Sequence, residues 1–248
     1  MRYFIEFAYN GKNYHGFQSQ PDASSVQETL EKALSTLFRE SITIVGAGRT
    51  DTGVHAKQMF AHFDSELELD SDYWSHKLNS FLPPSIVILK IFQVSDEAHA
   101  RFDATSRTYE YYLHTFKDAF ISEGSWYHSN PLDIDKMNEA CSILMKYLDF
   151  ECFSKVHTDV STFNCKITVA HWQQKGNQLI FTITADRFLR NMVRAIVGTM
   201  VNIGLGKIEV ADLHHIISSK DRGKAGFSVP AHGLYLVNVS YPYIEQHN

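Results

Sequence analysis

Apolar residues recur along this chain with two different periods, and the switches between them mark out its elements. An apolar run over residues 3–9 reads as a β-strand. The period then lengthens. Val26, Leu30, Ala33, Leu34 and Leu37 fall on one face of a helix, and Ser25 with Glu28 makes a capping box at its start. Short apolar strands are expected over residues 42–45 and 59–63, on either side of a polar, glycine-rich loop at residues 48–56. A second helix is expected over residues 71–81, where Pro83 and Pro84 stop it. The stretch 86–94 is apolar enough to predict a strand in the middle of a sheet.

The second half runs through the same order. Residues 107–115 predict a strand and residues 133–148 a helix with Met137, Ala140, Cys141, Leu144 and Leu148 inward. Residues 163–172 and 179–185 predict paired strands around the turn Lys175-Gly176-Asn177. A helix over 188–203 ends at Gly204 and Gly206, a shorter one lies near 210–217, and 234–239 closes as a strand. Each half is therefore β-α-β-β-α-β, the ferredoxin-like order. The expected fold class is α+β: two such halves, residues 1–104 and 105–248, packed side by side with a central cleft. Sequence identity between the halves is not evident, so the repeat is one of structure.

Composition narrows the classes. Of the 248 residues, 44% are hydrophobic and 21% charged, a globular balance without a disorder signature. No apolar run is long enough to cross a bilayer, and the first residues read as a strand, not as a signal peptide. Three widely spaced cysteines make a disulfide framework improbable, and a cytoplasmic protein is expected. The net charge of −5 argues against coating nucleic acid by bulk electrostatics but leaves room for a local basic cleft.

Three segments carry candidate chemistry. The loop Gly48-Arg49-Thr50-Asp51-Thr52-Gly53-Val54-His55-Ala56 is longer than its hairpin needs, and its counterpart in the second half is a tight turn. Gly46, Gly48 and Gly53 permit positive φ or close approach of a ligand. From the residues alone, a turn capped by Asp51 and the threonines and an active site both remain open. Arg107, Tyr109 and Tyr111 share one face of a strand, with Arg101 and Phe102 just before it, a set suited to stacking bases and pairing phosphates or to ordinary cross-strand contacts. Arg187, Arg190 and Arg194 fall at i, i+3 and i+7, a basic helical stripe, and Lys220, Arg222 and Lys224 make a second basic group. The 13 histidines form no His-Glu-x-x-His, and there is no Cys-x-x-Cys, Walker loop or Gly-x-Ser-x-Gly elbow, so no metal and no cofactor are expected.

The loop at 48–56 resembles, almost letter for letter, the signature of the TruA family of tRNA pseudouridine synthases. Five further segments resemble the family in order. They are Tyr14-His15-Gly16-Phe17-Gln18-Ser19-Gln20, Asn79 with Leu82-Pro83, Arg101-Phe102-Asp103-Ala104 with Arg107-Thr108-Tyr109, Phe188-Leu189-Arg190-Asn191-Met192-Val193-Arg194, and Gly233-Leu234-Tyr235-Leu236 with Tyr241-Pro242. Phe17 departs from the family, where Trp is commoner, and residues 225–230 copy its pattern imperfectly.

The resemblance implies isomerisation of uridine to pseudouridine at positions 38, 39 and 40 of the tRNA anticodon stem-loop, without a cofactor, by a homodimer. It gives Asp51 the role of nucleophile or of the base that starts glycosidic cleavage. It gives Tyr109 the stacking position on the extruded uracil and Arg49 the space that the base leaves. Arg194 is expected to pair with the carboxylate; Arg107 and Arg190 are candidate contacts to the RNA. Two competing readings are a non-catalytic RNA-binding protein of two ferredoxin-like halves and a small-molecule enzyme on the same fold. The first leaves a carboxylate among glycines facing a polyanion without a reason, and the second lacks a convergent acid–base set.

Overall fold

A computed structural model describes residues 1–156 and 160–244. They divide into two compact units. One is Met1–Thr105 together with the chain from Tyr235 onward, and the other is Ser106–Leu234. Both mix helices and strands, so the class is α+β.

In the first unit, β1 (Arg2–Tyr9) buries Tyr3, Phe4, Ile5, Phe7 and Tyr9. Helix α1 (Val26–Phe38) starts where Ser25 accepts the Glu28 N–H at 3.1 Å, as the capping box predicts. Its buried face ends on Phe38, with Leu37 only half-buried. The expected strand at 42–45 shrinks to β2 (Val45–Gly46). Side chains of α1 take up the backbone groups before it: Ser35 Oγ accepts from the Ile42 N–H at 2.9 Å, Glu31 accepts from Ile44 N–H at 3.0 Å, and Gln27 donates to the Ile44 carbonyl at 3.2 Å. Ile42 and Ile44 are still buried, so the alternation is real while the ladder is not. Strand β3 (His55–Asp64) begins earlier than expected and takes the last two residues of the 48–56 loop.

Helix α2 (Ser71–Phe81) has the expected bounds, opened by Asp70, which accepts the Tyr73 N–H at 2.7 Å. Strand β4 (Ile86–Val94) also matches in span but lies at an edge, not in the centre: it pairs antiparallel with β1, which pairs antiparallel with β3, which pairs with β2. Val87 and Leu89 lie on its uncovered face and are exposed, while Ile86 and Ile88 are buried. Asn79 of α2 clips this edge, accepting from Ile88 N–H at 2.7 Å and donating to the Ile88 carbonyl at 2.8 Å.

In the second unit, β5 (Ser106–His114) pairs antiparallel with β8 (Gln178–Ala185) and, at its end, parallel with the short β6 (Trp126–Tyr127). Helix α3 (Ile134–Leu144) is capped by Asp133 and stops before Leu148, which is exposed instead of inward. Strands β7 (Ile167–Lys175) and β8 (Gln178–Ala185) pair antiparallel around Gly176, whose φ of 58° gives the tight turn. Asn138 of α3 clips β7 as Asn79 clips β4, accepting from Trp172 N–H at 2.7 Å.

Helix α4 (Met192–Gly204) starts later than expected, because Asn191 adopts φ 67° and breaks the helical path. Helix α5 (Asp212–Ser219) follows. Strand β9 (Leu234–Ser240) returns to the first unit and runs parallel to β3, with His55 opposite Tyr235 and Ala56 opposite Leu236. Among the described residues no helix is long and apolar enough to cross a membrane.

Candidate active-site loop

The loop before β3 is held by the segment that follows β1. Tyr9 is the last residue of β1, and its phenol lies 2.9 Å from the Thr50 hydroxyl. The same Thr50 Oγ1 accepts the Phe17 N–H at 3.1 Å. Gly53 N–H donates to the Tyr14 carbonyl at 3.3 Å, and Gly11 N–H donates to His55 Nδ1 at 3.0 Å. The two stretches interlock closely enough to dictate glycine. A Cβ on Gly11 would collide with the Val54 carbonyl, and one on Gly16 with the Thr50 carbonyl, where φ is +96° as well.

Asp51 sits half-buried in this frame. Its carbonyl accepts the Val54 N–H at 3.1 Å, and Gly53, the third residue of that turn, has φ 78°. The positive φ at the third position is the mark of a type II turn. Thr50 therefore does the bracing that a capped turn requires, and the Asp51 main chain closes the next turn. Arg49, two residues earlier, is exposed.

His55 belongs to the frame. It is 2% exposed, accepts from Gly11, and stacks on Tyr235 with ring centroids 4.5 Å apart. Because Nδ1 is the acceptor, the neutral ring carries its proton on Nε2. Gly46 lets Phe17 lie against β2, since a Cβ there would meet the Phe17 ring, whereas Gly48 faces open space.

The other sequence-derived candidates lie in the second unit. On β5 the shared face of Arg107, Tyr109 and Tyr111 exists but divides by role. Tyr111 is fully buried, donates to the Pro230 carbonyl at 2.9 Å, and has its hydroxyl pKa raised by burial, so it is a core residue. Tyr109 is half-buried, with Phe188 edge-on at 5.2 Å. Arg107 Nη1 donates to the Asp186 carbonyl at 2.9 Å.

The basic stripe does not form. Arg187 and Arg190 precede α4, and only Arg194 lies on it, because the left-handed Asn191 intervenes. Arg190 is exposed, and its carbonyl accepts the Lys155 N–H at 3.1 Å. Arg194 is half-buried, and its Nε donates to the Val229 carbonyl at 2.7 Å. Residues 226–229, which receive it, lie against α4 so closely that Gly198 and Gly226 have no room for a Cβ.

The second basic group also separates. Lys220 pairs with Asp149 at 2.5 Å, which raises its pKa, and Arg222 donates to the Gly226 carbonyl and the Ser228 hydroxyl, each at 2.9 Å. Lys224 is exposed. Burial pushes the thiols of Cys141, Cys152 and Cys165 up to about 12, which leaves them inert as nucleophiles.

Sequence reasoning missed the bracing residues Tyr9, Gly11, Tyr14 and Phe17. The available signal was the match at residues 14–20, which marked the segment without saying what it touches.

Comparison with known proteins places the chain in a family. The family described as tRNA pseudouridine synthase matches residues 6–103 and 147–242. The tRNA pseudouridine synthase A of Parabacteroides distasonis is 54% identical over 242 residues, covering 97% of this chain and 96% of that protein. The protein of the same name from Porphyromonas gingivalis is 51% identical over 245 residues, covering 97% of each. That of Francisella tularensis subsp. novicida is 37% identical over 243 residues, covering 97% of this chain and 94% of that protein.

Proposed function

Since the chain belongs to the tRNA pseudouridine synthase family, whose members isomerise uridine to pseudouridine, we propose that Asp51 is its catalytic carboxylate. Its substrates in this reading are uridines 38, 39 and 40 of the tRNA anticodon stem-loop. The observation that carries it is the frame around Asp51: a half-buried carboxylate on a turn whose two flanks are tied to the segment behind it.

The reaction breaks the bond from ribose C1′ to uracil N1, turns the base and joins C1′ to C5. The proton leaves C5, N1 ends protonated, and no electrons are gained or lost. Asp51 starts the cleavage. The uridine must first leave its stack, at a cost of about a few kcal/mol. Tyr109 recovers part of that by stacking on the extruded uracil, a contact worth about 1–3 kcal/mol. The edge-on contact from Phe188 supports this role, because it fixes the ring as a platform. Arg49, exposed beside Asp51, enters the space left by the base. Arg194 is the partner proposed for the carboxylate, and the Val229 carbonyl that binds its Nε sets the direction of its guanidinium. Arg107 and Arg190 contact the RNA backbone.

The reading extends to assembly and fold. The enzyme acts in the cytoplasm as a homodimer, without metal or cofactor, and both halves are ferredoxin-like. The order β1-α1-β2-β3-α2-β4 of the first half and its pairing β4-β1-β3-β2 support the last point.

Asp51→Ala abolishes release of tritium from C5-labelled uridine in tRNA while tRNA binding stays nearly intact. Turnover retained by that variant overturns the assignment.

A further inference from the structure

The frame around Asp51 contains two hydroxyl groups to which the reaction gives no role. We propose that Tyr9 and Thr50 are positioning residues for Asp51, acting through one hydrogen-bonded chain that starts on β1. The inference rests on the reading of Asp51 as the reacting group.

The chain admits a consistent order of protons. Thr50 Oγ1 accepts the Phe17 N–H at 3.1 Å, so its own proton is available to Tyr9 Oη, 2.9 Å away. The Tyr9 proton then points to Met59 Sδ, at 3.8 Å. One assignment of protons satisfies all three contacts. Both ends of the chain are on paired strands, since Tyr9 is opposite Ala56 and Met59 is opposite Phe7. Tyr9 is 4% exposed, so water does not compete for its hydroxyl.

Thr50 is held a second time through its main chain. Its carbonyl lies against Gly16, where no side chain fits. The peptide entering Asp51 is thus located by a hydroxyl and by a backbone contact, and the peptide leaving it by the turn to Val54. An exposed Thr in a polar loop needs none of this. A carboxylate that must meet one sugar carbon does, because a misplacement of about 1 Å costs on the order of 100-fold in rate.

The test compares Thr50→Val, Thr50→Ser and Tyr9→Phe by steady-state kinetics, with tRNA binding measured separately. Thr50→Val keeps the shape and removes the hydroxyl. It is expected to lower kcat by about 10- to 100-fold with KM and Kd for tRNA unchanged. Thr50→Ser restores kcat to within about threefold of the parent, a rescue that a loss of fold does not predict. Tyr9→Phe lowers kcat less, because Phe17 still holds Thr50, and adds little in the Thr50→Val background.

If Thr50→Val turns over at the parental rate while Asp51→Ala is inactive, the positioning role is wrong and the catalytic reading stands. If Asp51→Ala itself turns over, the catalytic reading has failed first. A loss of tRNA affinity in step with rate in Thr50→Val and Tyr9→Phe also overturns the proposal, since the hydroxyls then act in binding.

Discussion

His62 on β3 is 6% exposed, and its Nδ1 accepts the Ala100 N–H at 3.1 Å. Burial holds its pKa at about 4, with help from the charges on Arg2 and His99, while Asp64 and Asp103 pull the other way. The unfolded chain binds this proton at the ordinary value of 6.5 and the folded chain only near 4. On acidification the unfolded state is protonated first. The contribution of His62 is therefore complete above pH 6.5 and is lost between 6.5 and 4. Its size is at most about 3 kcal/mol. Urea midpoints at pH 7 and pH 4.5 should fall less for His62→Gln than for the parent, although the variant starts lower. Parallel falls would place the acid sensitivity elsewhere. The same scale separates His62 from His55, which is also buried yet ties the loop before β3 to Gly11 by accepting its N–H. Neither role is legible in the sequence, because both depend on a backbone N–H far away along the chain.

At the scale of elements, α4 and the 226–229 segment pack backbone against backbone in the second unit. A Cβ on Gly198 would strike the Phe227 carbonyl, and one on Gly226 the Thr199 backbone. Both neighbours are main chain, so neither can move without its segment. Gly198→Ala should cost about 1–3 kcal/mol of stability by urea denaturation. Because Val229 of that segment receives the Arg194 guanidinium, pseudouridine formation should fall in the same variant under conditions where it stays folded. Full activity would show that Arg194 is held adequately without it. The helix starts at Ser25, Asp70 and Asp133 were all readable, since a cap and its N–H lie within one turn of chain. The start of α4 was not. Its apolar spacing continues back through Leu189, and only the left-handed Asn191 shows that the helix begins after it.

For the whole molecule, a net charge of −5 offers a polyanion no bulk attraction, so the placement of individual cations matters. Lys220 is engaged by Asp149 and Arg222 by Gly226 and Ser228, whereas Lys224 is exposed. Lys224→Gln should weaken binding of different tRNAs about equally and lower the slope of log K against log salt by about 1, and Lys220→Gln should leave that slope unchanged. Equal effects would show that the ion pair opens on binding. The sequence by itself determined the class of fold, the bounds of α2 and β4, the loop around Asp51 and the family. Those features are written locally, in caps, prolines, periodic apolar positions and contiguous motifs. Tertiary structure alone decided that β4 lies at an edge, that residues 42–44 bond to α1 in place of a strand, and that the arginine stripe is broken. It also decided what braces Asp51. The contacts from Tyr9, Gly11, Tyr14 and Phe17 join residues some forty positions apart. A hydrogen bond of that span imposes no period on the sequence, so only the folded chain reveals it.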